Sequence, residues 1–491
     1  MRQIQPRQLQ LGETLIESIR FDLRSRDDIP QVLRGLQHIY SDPVSREIVF
    51  AHLKKLIPED VDADNGRPGM VLWNVFVLAS LRTNLNCDYD RIVELANEHR
   101  TLRAMLGHDG PFAMDKRYCH QTVQDNLRLL TPEVLDEINQ AVVKAGHQVL
   151  GMADAPLLGK CDSFVMETDV DYPTDIRLLQ DALRKVIRGC GRASKQFGIA
   201  GWRQYDHNYS CIRNLYLNAQ RIGRSTSKDE KKKAAQEEKK KQAHSALIER
   251  AEFYLERAQQ TLELLVEIPE SGALRAEIEY FAVWACHQIN LIRRRVMNGE
   301  TIPHADKIHS LFEPHTEWVS KGKAGVPVEL GLRVCILEDQ VGFILHHKVM
   351  EQLTDDKVAV EMVRETRERF PNLRLCSFDK GFWSVGNHEQ LEKLLEKVVL
   401  PKKGGLSQKD RDRQADPEFI QARKQHAAVE SAINALEVHG LDFCPDHGLD
   451  GFKRYVALAV VGRNLQKLGA ILLQRERDAE KRRARRALLA A

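Results

Sequence analysis

Between about residues 162 and 440 the chain alternates short runs dense in β-branched and aromatic side chains with longer runs whose apolar residues recur every three to four positions. SFVMET, LRVCILED, VGFILHHKVM, LRLCSFD and VVLP read as strands, and KIHSLFE at 307–313 as a further extended segment. DDKVAVEMVRETRERF and HEQLEKLLEKV read as helices. Strands and helices in this order bury their apolar faces in a sheet covered by helices, so the pattern predicts an α/β fold with a mixed sheet. After SFVMET, Thr174 or Asp175 can cap a helix through LLQDALRKVI. A long helical region follows, and its middle, SKDEKKKAAQEEKKKQAHSALIERAEFYLERAQQTLELL, mixes both signs of charge before turning amphipathic. It reads as a helical insertion at about 176–305 that interrupts the sheet, with its lysine run a solvated face or coiled-coil arm ahead of a contact to DNA backbone.

The flanks are helical. Residues 28–148 hold short apolar-periodic segments, with Thr131-Pro132 opening a helix in N-cap and N1 fashion. MVLWNVFVLASLR, NLNCD and YDRIVELANEH read as helix, turn, helix, either part of a plain bundle or a DNA-reading pair. EFIQARKQHAAVESAINALEVHG and GFKRYVALAVVGRNLQKLGAILL are predicted late helices, followed by a basic end, RERDAEKRRARRALLAA. That end is either a frayed, solvated helix or a phosphate contact.

Composition excludes several classes. Lysine plus arginine is 73 against 70 acids, a net charge of +3, so any basic footprint must be local. The nine cysteines are scattered with no C-x-x-C pair, which argues for reduced thiols in a cytoplasmic protein and against a disulfide framework or zinc ribbon. The N-terminus lacks a signal-like apolar core, and YVALAVVG is short of the roughly 20 residues that cross a bilayer, so no membrane role is expected. GKAG at 322–325 lacks the pattern of a phosphate-binding loop. His439, Cys444 and His447 offer zinc three ligands without an evident fourth, and His346-His347 reads as edge or surface.

Carboxylates carry the chemical signal. CDSFVMETDVDYPTD puts five acids, Asp162, Glu167, Asp169, Asp171 and Asp175, into and just after an apolar strand. With a period of two, Asp162 shares a face with Phe164, Met166 and Thr168, whereas Glu167 and Asp169 share the other with Val165. Glu167 and Asp169 therefore read as supporting or structural, Asp171 as turn-exposed and Asp175 as the start of the next helix. Asp379 ends LRLCSF, at the carboxyl end of a strand, where open α/β sheets place active sites. Glu430 lies on a helix among Ala427, Val429, Ala432 and Ile433, an unusually apolar setting for an acid. Each alone has a bland reading as a turn, cap or solvent-facing residue. Together they suit Mg²⁺ or Mn²⁺, which take oxygen ligands, and two such ions support phosphodiester cleavage or transfer.

Several separated blocks extend this reading: DSFVMETDVDYPTDIRLL, SLFEPHTEWVSKGKAGVPVELG, SFDKGFWS, and RKQHAAVESAINALEVHGLDFCPDHGLDGFKRYVALAVVGRNLQKLG. In that order the chain resembles the DDE transposases of bacterial insertion sequences, most closely the ISNCY-type elements. GRPG at 66–69 and the helices after it look like the helical N-terminal domain of related transposases. The resemblance implies an RNase H-like catalytic domain over 151–470, interrupted by the helical insertion. A DNA-binding and dimerisation domain at 1–150 would precede it, and a basic tail at 471–491 would follow. It implies Asp162, Asp379 and Glu430 as catalytic residues and metal ligands for two Mg²⁺ or Mn²⁺ ions. It further implies binding of double-stranded DNA at terminal inverted repeats and target, a homodimer or higher homo-oligomer, and a place in the bacterial cytoplasm on the nucleoid. Where relatives carry arginine one turn before the last acid this chain has His426, and Glu437 stands where lysine is usual. Phosphate contacts then fall to Lys402, Lys403, Arg423, Lys424 and His426. A nuclease with the same core but no strand transfer, and a non-catalytic DNA-binding derivative, are the rival readings.

Overall fold

The computed structural model describes residues 2–5, 12–58, 69–113, 115–224, 230–320 and 328–490. GKAG, most of GRPG and the first residues of the charged run lie outside these. Two compact units emerge, one of residues 1–169 with 319–491, the other of residues 170–318.

The first unit is built on a seven-stranded mixed, open sheet: β1 (Leu157–Thr168), β2 (Glu317–Ser320), β3 (Val328–Glu338), β4 (Ile344–Met350), β5 (Leu373–Phe378), β6 (Lys397–Val399) and β7 (Phe443–Cys444). The order is β2-β3-β1-β5-β6, with β4 also on β3 and β7 on β1. β3 runs antiparallel to both β1 and β4, whereas β5 is parallel to β1 and β6 to β5. Asp339 makes the β3–β4 turn, its Oδ1 accepting from the amides of Val341, Gly342 and Phe343 and its Oδ2 facing His147 Nε2 at 2.7 Å.

Each face of the sheet enters a different core. Cys161, Leu337 and Phe378 join Leu36, Phe76, Leu135 and Val142 from the N-terminal helices. On the other side Phe164 and Met166 join Val429, Leu436, Phe452 and Val456. The N-terminal helices thus share the sheet's core, and the expected division at residue 150 does not separate compact units. The predicted helix–turn–helix forms as Leu72–Asn84 and Tyr89–Glu98, the second capped by Asp88 accepting from Arg91 N at 2.8 Å. All 13 residues of Leu72–Asn84 are buried, so that helix is a core element with no face to offer DNA.

The late segments also differ from expectation. The single helix predicted over 418–440 is two, Pro417–His426 and Ala428–Leu436, followed by a turn in which Gly440 takes a φ of 101°. The last helix, Leu449–Ala490, continues without a break through the basic end expected as a tail. It contains an 18-residue window of mean hydropathy 1.4, more apolar sequence than YVALAVVG alone, and 72% of that window is buried inside the fold, as for the core helix of a water-soluble protein.

The second unit is helical: Asp175–Phe197, Tyr205–Gly223, Glu230–Val266 and Gly272–Ile292 surround Leu183, Ile187, Tyr216, Leu247 and Ile278. Its limits, 170 and 318, are wider than the 176 and 305 expected. Thr174 is the N-cap of its first helix, accepting from Arg177 N, and Asp175 is the first helical residue. KIHSLFE is no strand, because Ile308 and Leu311 are taken up by the helical core instead of a sheet.

The last helix crosses Ile29–Ser41 on glycines. A Cβ on Gly469 would lie 1.7 Å from Gln31 O, and one on Gly35 2.2 Å from Leu465 O. Gly469→Ala is expected to force the helices apart and lower the unfolding free energy by about 1–3 kcal/mol, read by urea denaturation against wild type.

Candidate active site

The parallel pairing of β1 and β5 sets Cys161 opposite Phe378, so the next residues, Asp162 and Asp379, come side by side where β5 ends. Neighbouring strands lie about 4.8 Å apart. Asp379 is exposed, and its carbonyl accepts from Phe382 N at 3.2 Å to start the Lys380–Phe382 turn. Glu430 stands in the first turn of Ala428–Leu436 and is exposed. Val429 beside it and Leu436 are buried with Phe164 and Met166, so this helix lies over the face of β1 that carries Asp162.

The half-buried Asp162 is the electrostatic centre. Its Oδ1 accepts from Ser163 N at 2.8 Å, which favours the anion. Burial opposes ionisation more strongly, and the carboxylates of Asp379, Asp355 and Glu430 add to it, so Asp162 is pushed up to about 6. The other two acids expected from the sequence therefore both bear on Asp162. Asp355 is a fourth that the sequence did not single out, because Thr354-Asp355-Asp356 reads only as a helix start. It accepts from Ser163 Oγ at 2.6 Å, and a Cβ on Gly381 would stand 2.9 Å from its Oδ2. Among the described residues no three Asp, Glu, His or Cys side chains are close enough to hold a metal ion as they stand. The donor chemistry nevertheless fits a hard divalent cation: the acids are oxygen donors, and a cation among them would relieve the repulsion that burdens Asp162.

His426 joins this group. Its Nδ1 lies 2.9 Å from Ser377 Oγ, two residues before Asp379, and its buried Nε2 has no hydrogen-bond partner. Burial pushes its pKa down, while Asp379 and Glu430 pull it up and Lys160 pushes it down further. Lys160, buried on β1 and 3.5 Å from Glu338, is a cation the sequence reading missed, hidden as one lysine in a strand.

The other expected positions divide. Arg423 and Lys424 are exposed on Pro417–His426 and Lys403 is exposed on a loop, whereas Lys402 is held 2.6 Å from Asp410. Asp169 and Glu167 are exposed at the end of β1, and Asp171 pairs with Arg177. Trp383 packs on the core under Arg413, 5.3 Å from its ring. His439 Nδ1 faces Asn84 O at 2.6 Å, and no zinc cluster forms among the described residues. His346, expected at an edge or surface, is buried, with Nε2 2.7 Å from Glu365.

Comparison of the chain with protein-family models, curated proteins and solved structures finds no match.

The raised carboxyl of Asp162 has a defined cost. A folded-state value near 6, above that of an unfolded aspartate, means the folded protein holds the proton more tightly. This group's contribution is fully present below the unfolded value, is lost as pH rises towards 6, and leaves a penalty above it. Asp162→Asn is expected to raise the unfolding free energy at pH 7.5 by about 1–3 kcal/mol and to leave it nearly unchanged at pH 4. Parallel denaturation curves at the two pH values check this.

Proposed function

We propose that the chain is a DDE-type transposase with an RNase H-like core, which binds the terminal inverted repeats of an insertion sequence, cuts there and joins the ends to target DNA. The observation that carries this is geometric: Asp162 on a central strand stands beside Asp379 at a neighbouring strand end, and the late helix that carries Glu430 packs over the same face of that strand. The sheet supports it too. A central first strand with β3 antiparallel beside it, β4 antiparallel to β3 in turn, and β5 and β6 parallel on the other side is compatible with an RNase H-like core.

Asp162, Asp379 and Glu430 would hold the two Mg²⁺ or Mn²⁺ ions. Bound there, the ions supply Lewis-acid stabilisation of the attacking and leaving oxygens of an in-line phosphoryl transfer. Ser163 orients Asp162 through its amide and Asp355 through its hydroxyl, so one residue positions two carboxylates. The exposure of Asp379 and Glu430 leaves the approach to a phosphodiester open. Ser377 Oγ donates to Gly159 O and so accepts from His426 Nδ1; protonated on Nε2 as well, His426 would donate to a phosphate oxygen, the task that arginine has in the transposases the sequence resembles. Arg423, Lys424 and Lys403 steer the DNA backbone, while Lys402 is spent on Asp410. Pairing two element ends calls for two active sites, hence a homodimer or larger assembly working on the nucleoid in the bacterial cytoplasm.

The test is Mg²⁺- or Mn²⁺-dependent cleavage and joining on DNA bearing the repeats that flank its own gene. Asp162→Asn, Asp379→Asn and Glu430→Gln are each expected to lose activity by about 10³-fold or more, while Asp169→Asn stays active. Cleavage without joined products would point to a nuclease. DNA binding that none of these changes affects, with no cleavage, would mean a binding protein.

A further inference from the structure

The helical unit contains a cavity of about 270 Å³ that the carboxylate chemistry does not use. Gln288, on the Gly272–Ile292 helix, contributes to its lining. This side chain is fully buried, and neither its amide nitrogen nor its oxygen has a hydrogen-bond partner. A buried amide with both ends unpaired destabilises a fold, and the core around it is otherwise aliphatic and aromatic, where leucine would serve better. Something other than packing keeps an amide there.

The rest of the lining indicates what it would meet. Trp318 has Tyr172 at 5.7 Å and His309 at 5.6 Å between ring centroids, and Tyr172 is 65% exposed. Arg295 is neutralised by Asp175 at 2.9 Å, which leaves Lys307, exposed at the rim, as the cation for an anionic ligand. Aromatic side chains stack on nucleobases, a glutamine amide pairs in one plane with the N6 and N7 edge of adenine, and lysine takes phosphate. The volume lies just below the roughly 300 Å³ at which pockets begin to hold drug-sized ligands, which suits one base with its sugar.

We propose that this cavity binds an adenine nucleotide, with its base stacked against Trp318, its edge read by Gln288 and its phosphate met by Lys307. The nucleotide is either free or an unpaired residue of a DNA strand, and the chemistry is the same. The proposal does not depend on the carboxylate site.

Binding to the full chain without divalent metal tests it, using dAMP and dTMP by calorimetry and labelled oligo-dA and oligo-dT by fluorescence anisotropy. The expected result is a preference for adenine of about tenfold or more, lost in Gln288→Leu and undisturbed in Asp162→Asn. Gln288→Leu should unfold at the same or a higher temperature than wild type, because the amide it removes has no partner. A preference seen with dAMP and oligo-dA alike indicates a site for a free nucleotide; one confined to the oligonucleotide indicates an unpaired strand residue. No adenine preference in wild type, or one that survives in Gln288→Leu, overturns the proposal.

Discussion

β1 is hydrogen-bonded along both edges and buried on both faces, and this double confinement allows it a single register. Cys161 and its side go into the core shared with the N-terminal helices, while Phe164 and Met166 go into the core beneath the Ala428–Leu436 helix. A slip of one residue would exchange the two sets, sending Asp162 into the first core and turning Phe164 away from the second. The strand that carries the acid is thus held by its apolar neighbours. Because β5 runs parallel to it, the same register fixes where Asp379 stands.

Gathering carboxylates around a half-buried aspartate works against folding, and the scaffold offsets it by rigidity. Asp162 and Asp355 are tied through one serine, and Gly381 leaves room for Asp355 where a side chain would crowd it. Glu430 rides on a helix whose adjacent Val429 is fully buried, so its backbone has little freedom even though its side chain reaches solvent. A site assembled on strand ends and a packed helix keeps its geometry in the absence of ligand, at a cost in stability that functional sites commonly carry. The last helix extends this rigidity: Asn464 bridges Asn139 and the backbone of Ile344, and Gly469 lets Ile29–Ser41 approach at backbone distance.

The insertion meets a different constraint. It interrupts the sheet between its first two strands, so it must complete its own core, and its four long helices do so. Its charged, amphipathic sequence agrees with that, except at Gln288, where a polar group sits in a place that packing alone would not assign to it.

Much of this was legible in the residues. Period-two and period-3.6 patterns located β1, β3, β4, β5 and β6 and the helices between them, because alternation reports which faces are apolar. Thr174 and Thr131 marked helix starts for the same local reason, their hydroxyls satisfying free backbone amides. Period two also put Asp162 on the Phe164 and Met166 face, which is where the structure has it. KIHSLFE misled because its apolar residues fit a helical core as well as a sheet, and the YVALAVVG window understated how much of the last helix is apolar. What the sequence by itself determined was the kind of each element and which side of it seeks the core, since these follow from a residue and its near neighbours. Tertiary structure alone decided that the N-terminal helices share the sheet's core, that Asp355 and Lys160 stand near Asp162 and His426, and that Lys402 is already paired. Those outcomes depend on residues far apart in the chain meeting across two packed layers, and no local pattern encodes such meetings.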